Sequence, residues 1–224
     1  RLVRITGNAP LFNQRFSCGY APQGTLTVPY MSHSRGCGAA AAARAARPTR
    51  VVMGASAYSH PQGDAAHATQ RVRLELSRAC REATAAVLGR ASARTRRGAR
   101  GRAGPRAVCL SRSPLFGGSM GSLTQIFSLY KQAVFCLQPP GDSVARAAII
   151  DAVALGCIPV LFVPRMDHWH YQLQWDAWRE DSRLVVDGEA VIRGDLDLLE
   201  DLSSIPAARV ARMQATIAAW AHTM

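Results

Sequence analysis

The longest ordered pattern of apolar and polar positions runs from Val134 to Val163. An apolar run, Val134 to Leu137, meets a Pro-Pro-Gly turn and is typical of a short β-strand. A mostly apolar helix follows, and a second apolar run from Ile158 to Val163 ends at Pro164. Neither run alternates, as expected for parallel strands that are buried on both faces. The pattern therefore predicts a βαβ unit.

The turn and the start of the predicted helix carry candidate chemistry. Gly141 lies in the turn, and Asp142 and Ser143 stand at the N-cap, where their oxygens can accept hydrogen bonds from the free N–H groups of the first turn. The helix is then predicted from Ser143 to Leu155, before Gly156. Its N-terminus presents unpaired N–H groups and the positive end of the helix dipole, which together favour an anion.

Two charged residues of this helix leave two interpretations open. Arg146, about one turn inside, would add a positive charge beside a nucleotide diphosphate, and Asp151, two turns in, would accept hydrogen bonds from ribose hydroxyl groups. Alternatively, this is an ordinary capped βαβ unit, and both side chains are solvated surface charges. The spacing alone does not decide between them.

The rest of the chain alternates between strand-like and helix-like patterns. Short apolar runs predict strands within Thr25–Tyr30, Arg50–Gly54, Ala107–Leu110 and Arg183–Val186. Apolar stripes predict helices from Asp64 to about Leu88, from a capping box at Ser122, around Leu196, Leu199 and Leu202, and from Pro206, with Val210, Met213, Ile217 and Trp220 facing the core. This alternation predicts an α/β fold with a mostly parallel sheet, whose ligands bind at the carboxyl ends of the strands. Gly54 lies at such an end.

The net charge of +12 is concentrated in one part of the chain. Residues 35–112 hold sixteen arginines and three acidic residues, so the remainder is close to neutral. Segment 89–105 has six arginines and no large apolar residue, which predicts a disordered or loose loop that is dispensable to the fold. Nucleic-acid binders usually interleave aromatic residues or contain a recognisable module. Because neither is found here, an insertion of biased composition is favoured.

Cysteine spacing does not suggest a zinc site. None of the six cysteines forms a CxxC pair. Cys136 and Cys157 lie at apolar strand and strand-entry positions, which predicts buried free thiols. A lumenal compartment would permit a bridge between Cys80 and Cys109.

An aromatic segment follows the βαβ unit. Residues 166–178 hold three of the four tryptophans, together with His168 and His170, which are two positions apart. Such a pair in a loop could bind a metal, but a packed aromatic loop beside a site is the favoured interpretation.

The residues of the βαβ unit also resemble a known family. Phe135–Ser143, with the sequence FCLQPPGDS, followed by Asp151 and by Gly156–Val160, is similar to the signature of exostosin-type glycosyltransferases, family 47. This sequence is most similar to the plant branch of the family, which includes xyloglucan galactosyltransferases. Further matches are found at Thr27–Tyr30, Gly54–Ala55, Arg73, Cys80, Gln172 and Trp175. The basic residue that usually follows the Gly-Ala turn is missing, since Ser56 and Ala57 stand in its place.

The resemblance implies a fold of the GT-B type. Residues 50–224 would form the nucleotide-sugar half, a Rossmann-like domain with a mostly parallel sheet and an Arg/Gly/Ala-rich loop at 89–105. Residues 1–49 would be the tail of the N-terminal, acceptor-side domain and a linker, with most of that domain absent. No run of 18 apolar residues is found, so no membrane span is expected in this piece. The chain starts with Arg1 rather than Met and shows no signal peptide, so we expect a fragment or a gene model that lacks its 5′ end.

The resemblance also implies an activity: transfer of a sugar from a UDP-sugar to a glycan acceptor in cell-wall or extracellular polysaccharide synthesis, with no metal or other cofactor. The implied donor-binding residues are Gly141, Asp142, Ser143, Arg146, Asp151, Gly54 and Arg73. The general base stays unassigned, with Asp142 and Glu189 as weak candidates. The full-length protein would be a type II membrane protein of the Golgi lumen, and no nucleic-acid partner is expected. The alternatives are an inactive exostosin-like binding protein and, less favoured, an Arg-rich nucleic-acid binder.

Overall fold

The computed structural model describes the chain in segments. They comprise residues 4–6, 25–27, 47, 49–54, 65–96, 110–111, 123–141, 146–169, 175 and 177–223. Of the predicted site residues, Asp142 and Ser143 lie outside them, as does the capping residue predicted at Ser122.

Strands and helices alternate through most of this part of the chain. The strands are β1 (Arg4–Thr6), β2 (Thr25–Thr27), β3 (Thr49–Met53), β4 (Leu110–Ser111), β5 (Ala133–Gln138), β6 (Ile158–Leu161) and β7 (Leu184–Val185). The helices are α1 (Ala65–Arg96), α2 (Leu123–Gln132), α3 (Ala147–Ala154), α4 (Pro164–Trp169), α5 (Gly188–Arg193), α6 (Leu198–Ser204) and α7 (Ala207–Trp220), followed by a 3-10 turn at Ala221–Thr223.

Five of the strands form one parallel sheet in the order β4-β3-β5-β6-β7, and β1 and β2 form a separate parallel pair. The chain moves from β3 to β4 on one side, then returns to place β5, β6 and β7 on the other. Strand order therefore reverses between β3 and β5, which are paired through Val51 and Phe135. The predicted Rossmann-like α/β fold is confirmed, and its ligand crevice should lie at this reversal.

Helices cover both faces of the sheet. Side chains alternate along a strand, so Met53 and Phe135 join a larger cluster while Val52 and Cys136 join a second cluster with Tyr130 of α2. The larger cluster takes its helical members from α1, α3, α4, α6 and α7, including Val72, Leu76, Ile149, Met166, Leu202, Val210, Met213 and Ile217. Every residue of β5 is buried, which explains its unbroken apolar run.

Two arginines close the amino edge of the sheet. Arg47 donates hydrogen bonds to the carbonyl oxygens of Tyr130, Ala133 and Leu155, at the ends of α2 and α3. Arg50 donates to the carbonyl oxygens at the end of α6 and lies 4.9 Å over the ring of Phe135. Cations are favourable at helix C-termini because the carbonyl groups there lack intrahelical partners. Burial lowers the pKa of Arg47 to about 10, so it remains protonated at neutral pH.

A disulfide corrects one sequence prediction. Cys136 of β5 and Cys157, just before β6, were predicted as free thiols, but they are bonded, with Cα atoms 5.9 Å apart. Both side chains are fully buried, so the bond ties the two strands inside the core. Apolar surroundings indicate burial of a cysteine but not whether a second one faces it. Cys80 is also disulfide-bonded, while Cys109, with which a lumenal compartment would permit a bridge, lies outside the described residues.

Several element boundaries differ from the prediction. Helix α1 continues to Arg96, so the first half of segment 89–105 is helical; alanine and arginine are strong helix formers and outweigh one glycine. Helix α5 was not predicted. Helix α6 begins at Leu198 with Asp197 as its cap, which leaves Leu196 exposed. Trp220 was expected in the core but is 49% exposed at the last residue of α7.

The aromatic segment is packed, as predicted, at Trp175 and Trp178. Trp175 is fully buried, its indole N–H donates to Ser182 at 2.7 Å, and its ring centroid lies 6.1 Å from that of Trp178. The first part of the segment is helix α4 rather than a loop. His170 lies outside the described residues, which contain no group of three or more potential metal ligands. None of the described helices has the length and apolarity needed to cross a membrane.

Candidate functional site

The reversal of strand order places three features at one edge of the sheet. Gly54 follows β3, the segment from Pro139 to Gly141 follows β5, and α3 begins a few residues later. Register aligns these ends, because Val52 pairs with Cys136, two residues before Gly54 and Gln138 respectively. The predicted site residues Gly54 and Gly141 therefore lie at the same carboxyl edge.

Helix α3 begins later than predicted. Its first residue is Ala147, and Arg146 is the N-cap, with extended backbone angles of φ −138° and ψ 126° and no side-chain cap bond. The prediction that the helix runs from Ser143 with Asp142 as its cap is therefore wrong. The guanidinium of Arg146 donates to the carbonyl oxygen of Pro139, which holds residue 146 beside the end of β5. A side-chain bond of this kind, made back across seven residues to the preceding turn, is not visible in a capping pattern.

Arg73 reaches the same segment from α1. Its Nε donates to the carbonyl oxygen of Pro140 at 2.7 Å, across 67 residues of sequence, and its side chain is buried, with the residue 6% exposed. Two of the predicted donor-binding arginines, Arg73 and Arg146, are thus brought together on consecutive proline carbonyls.

Two further residues of the site were not predicted. Gln138, the last residue of β5, is fully buried, and its Nε2 lies 3.2 Å from both the Tyr130 hydroxyl and the Ala148 carbonyl oxygen. Its Oε1 is buried and has no hydrogen-bond partner within the part of the chain that the structure describes. Gln138 therefore clamps the end of β5 to the first turn of α3. Its sequence signal is a polar residue closing an otherwise apolar strand.

Tyr130 packs directly against Gly54. A Cβ at position 54 would lie 2.8 Å from the Tyr130 hydroxyl oxygen, closer than side chains tolerate. Helix side chains lean toward the helix N-terminus, so a residue near the end of α2 can still reach this edge. Glycine at position 54 thus gives room to the phenol.

The electrostatics of the phenol link the two charged residues of the predicted site. Burial raises the pKa of Tyr130, the hydrogen bond from Gln138 and the positive charge of Arg146 lower it, and the negative charge of Asp151 raises it. The net shift is upward, so the phenol keeps its proton at neutral pH. Arg146 and Asp151 both act on this one group. Asp151 is only 4% exposed, so the interpretation of Asp151 as a solvated surface charge is wrong.

The weak candidate for a base, Glu189, is exposed in the first turn of α5, just beyond β7. Asp187 caps that helix by accepting a hydrogen bond from the Glu189 N–H. This position is at the carboxyl edge but three strands away from β3. The geometry does not identify it as a base.

Comparison with known proteins gives a family match. A family model described as "Exostosin GT47 domain" matches residues 6–185. The chain is 35% identical to Xyloglucan-specific galacturonosyltransferase 1 of Arabidopsis thaliana over 89 residues, which is 39% of this chain and 13% of that protein. It is 42% identical over 60 residues to Probable xyloglucan galactosyltransferase GT20, covering 26% of this chain and 10% of the relative. It is 29% identical over 94 residues to Xyloglucan galactosyltransferase MUR3, covering 42% and 15%. These matches thus span well under a fifth of the length of each relative.

Proposed function

Because this chain belongs to the exostosin GT47 family, we propose that it is a glycosyltransferase that moves a sugar from a UDP-sugar to a hydroxyl group of a glycan acceptor. Its relatives bear the names of xyloglucan galactosyl- and galacturonosyltransferases, which supports a xyloglucan-type polysaccharide as the acceptor. The proposed setting is plant cell-wall polysaccharide synthesis.

The observation that carries the proposal is the arrangement at the strand-order reversal. An open parallel sheet binds nucleotides outside the carboxyl ends of the strands at such a point. Here the crevice is bordered by Gly54, by the segment that follows β5 and by the start of α3. In the proposal, the donor diphosphate lies at that helix start near Arg146, with Asp142 and Ser143 nearby in sequence, and the ribose lies along the flank of α3 toward Asp151.

The proposed chemistry needs positive charge where the diphosphate leaves. The N-terminus of α3 supplies the positive end of a dipole, and Arg146 supplies a guanidinium group at the same edge. These groups act as fixed electrostatic stabilisers, so the proposal includes no metal or other cofactor. A general base must remove the proton of the acceptor hydroxyl, and Asp142 and Glu189 remain weak candidates for it.

The buried disulfide supports an oxidising compartment. Disulfides such as Cys136–Cys157 persist in secretory compartments and are rare in the cytosol. Such a compartment is consistent with the proposed location of the enzyme, the Golgi lumen, and with its proposed full-length form, a type II membrane protein.

The test is turnover. The full-length protein would be incubated with radiolabelled UDP-galactose or UDP-galacturonic acid and a xyloglucan acceptor, and incorporation into polymer would be measured alongside UDP release. Transfer dependent on the acceptor supports the proposal. UDP binding without transfer favours the second candidate.

That second candidate is an exostosin-like protein that binds the donor without transferring it. The observation in its favour is the replacement of the basic residue after the Gly-Ala turn by Ser56 and Ala57. Ser56→Lys and Ser56→Arg variants distinguish the two candidates, because a gain of transfer from an inactive parent would show that this position was the missing element.

A further inference from the structure

We propose that Arg73 is a positioning residue of this site, which shapes the loop after β5 and does not itself contact the diphosphate. The sequence had grouped it with direct donor contacts. The proposal rests on the proposed function in one respect only, namely that the loop binds the donor.

Three side chains hold the segment from Pro139 to Gly141 and the start of α3, which are the two described ends of the loop after β5. Arg73 holds the Pro140 carbonyl and Arg146 holds the Pro139 carbonyl, while Gln138 binds the Ala148 carbonyl in the first turn of α3. Arg73 is the one that comes from a distant element, since α1 precedes the loop by more than forty residues. It therefore couples the placement of α1 to the shape of the loop.

The chemistry of two consecutive prolines explains why such ties are needed. Pro139 and Pro140 have no N–H, so their backbone presents only carbonyl oxygens, which repel an anion. A guanidinium bonded to each oxygen fixes that carbonyl dipole toward the cation. A carbonyl held in this way does not turn toward a phosphate. The anion is then left with the positive helix start, the favourable part of the loop.

The burial of Arg73 favours a positioning role over direct contact with the ligand. With 6% of the residue exposed and Nε committed to Pro140, little of the side chain faces solvent where a ligand would arrive. Lysine does not replace this arrangement, because its ammonium is a point charge without the planar Nε–H donor. A positioning role predicts a change in the ligand-free protein, which a pure ligand contact does not.

The first experiment measures amide hydrogen exchange of the ligand-free chain, in peptides that span residues 139–148. Arg73→Gln should raise exchange there severalfold, with Arg73→Lys between it and the parent. Arg78→Gln is the matched control, since Arg78 lies on the same helix, is exposed, and pairs with Glu75 and Glu82. Exchange unchanged from the control in both Arg73 variants overturns the proposal.

The second experiment measures UDP affinity by calorimetry at several salt concentrations. Arg73→Gln should weaken UDP binding about tenfold while leaving its salt dependence equal to that of the parent, because no ion pair with the ligand is lost. A clearly flatter salt dependence would show direct contact and overturn the proposal. If Arg73→Gln does not fold, the exchange measurement on Arg73→Lys decides with the same criterion, because lysine keeps the positive charge and its salt dependence does not distinguish the two roles. If the parent fails to bind UDP, the proposed function fails, whereas the exchange measurement still decides the positioning role.

Discussion

At the scale of single residues, the site depends on how closely Tyr130 approaches the end of β3. The phenol fills the space where a side chain at position 54 would stand, and it receives the hydrogen bond of Gln138. A glycine and a tyrosine 76 residues apart are thus needed together. Neither residue reveals this in the sequence, because Tyr130 reads as an ordinary apolar position of a helix.

Replacing Gly54 with alanine should lower the free energy of unfolding by about 1–3 kcal/mol, the usual cost of overpacking a core. The added methyl group would lie 2.8 Å from the Tyr130 oxygen and 2.9 Å from a ring carbon. Urea unfolding would measure the loss, and Gly54→Ala combined with Tyr130→Phe should recover part of it. Gly188→Ala is the contrasting variant: its Cβ would meet a backbone oxygen, that of Phe162, at 2.6 Å, so Tyr130→Phe should not recover any of its loss. Equal losses in the single and double variants at position 54 would contradict this contact.

The raised pKa of Tyr130 gives a pH dependence of stability. The folded protein holds the phenolic proton to a higher pH than the unfolded chain does, so stability is complete below about pH 10 and falls above it. Tyr130→Phe has no proton to lose. The difference in unfolding free energy between parent and variant should therefore shift in favour of the variant between pH 9 and pH 11. A constant difference over that range would show that the phenol titrates normally.

At the scale of elements, the βαβ unit shows what the sequence reveals and what it hides. The bounds of β5 lie within one residue of the apolar run at 134–137, and β6 covers most of the run at 158–163, because buried parallel strands must be apolar. The start of α3 was placed four residues too early, because the backbone of Arg146 is extended and its side chain bonds back to the Pro139 carbonyl oxygen. A capping pattern shows neither this bond nor the one that Arg73 makes from a distant helix to Pro140.

The disulfide between β5 and β6 should contribute about 3 kcal/mol, the chain-entropy value for a closed loop of this length. Cys136→Ala, Cys157→Ala and the double variant would be unfolded in urea. Each single variant already removes the cross-link, so the double should cost about as much as either single. Losses that add would indicate that packing of the two sulfurs, rather than the bond, provides the stability.

At the scale of the whole molecule, arginines serve opposite edges of one sheet. Arg73 and Arg146 hold loop carbonyls at the carboxyl edge, where the donor is proposed to bind. Arg47 and Arg50 hold helix-terminal carbonyls at the amino edge. The sequence showed an excess of arginine over residues 35–112 and favoured a linker and an insertion for it. Three of these four arginines fall in that region and donate hydrogen bonds to backbone carbonyl oxygens. Composition cannot reveal this role, because it does not show which groups an arginine contacts.

Because the two pairs of arginines lie at opposite edges of the sheet, we expect changes at the amino edge to affect stability and changes at the carboxyl edge to affect donor binding. Arg47→Gln should lower the free energy of unfolding by about 2–4 kcal/mol, because the carbonyl groups of Tyr130, Ala133 and Leu155 lose a charged donor. In the temperature range where the variant is folded, its UDP affinity should equal that of the parent, since the change lies at the far edge of the sheet.

Arg146→Ala should affect donor binding more than stability. Calorimetry should show UDP binding weakened by about 1.5–3 kcal/mol, the value of a charged hydrogen bond, with a smaller loss of stability. Asp151→Asn adds a second comparison, with a loss of affinity for UDP but not for pyrophosphate if the ribose lies toward that carboxylate. A tenfold loss of UDP affinity in folded Arg47→Gln would show that the two edges are coupled, and the donor site would then have to be redrawn to include the amino edge.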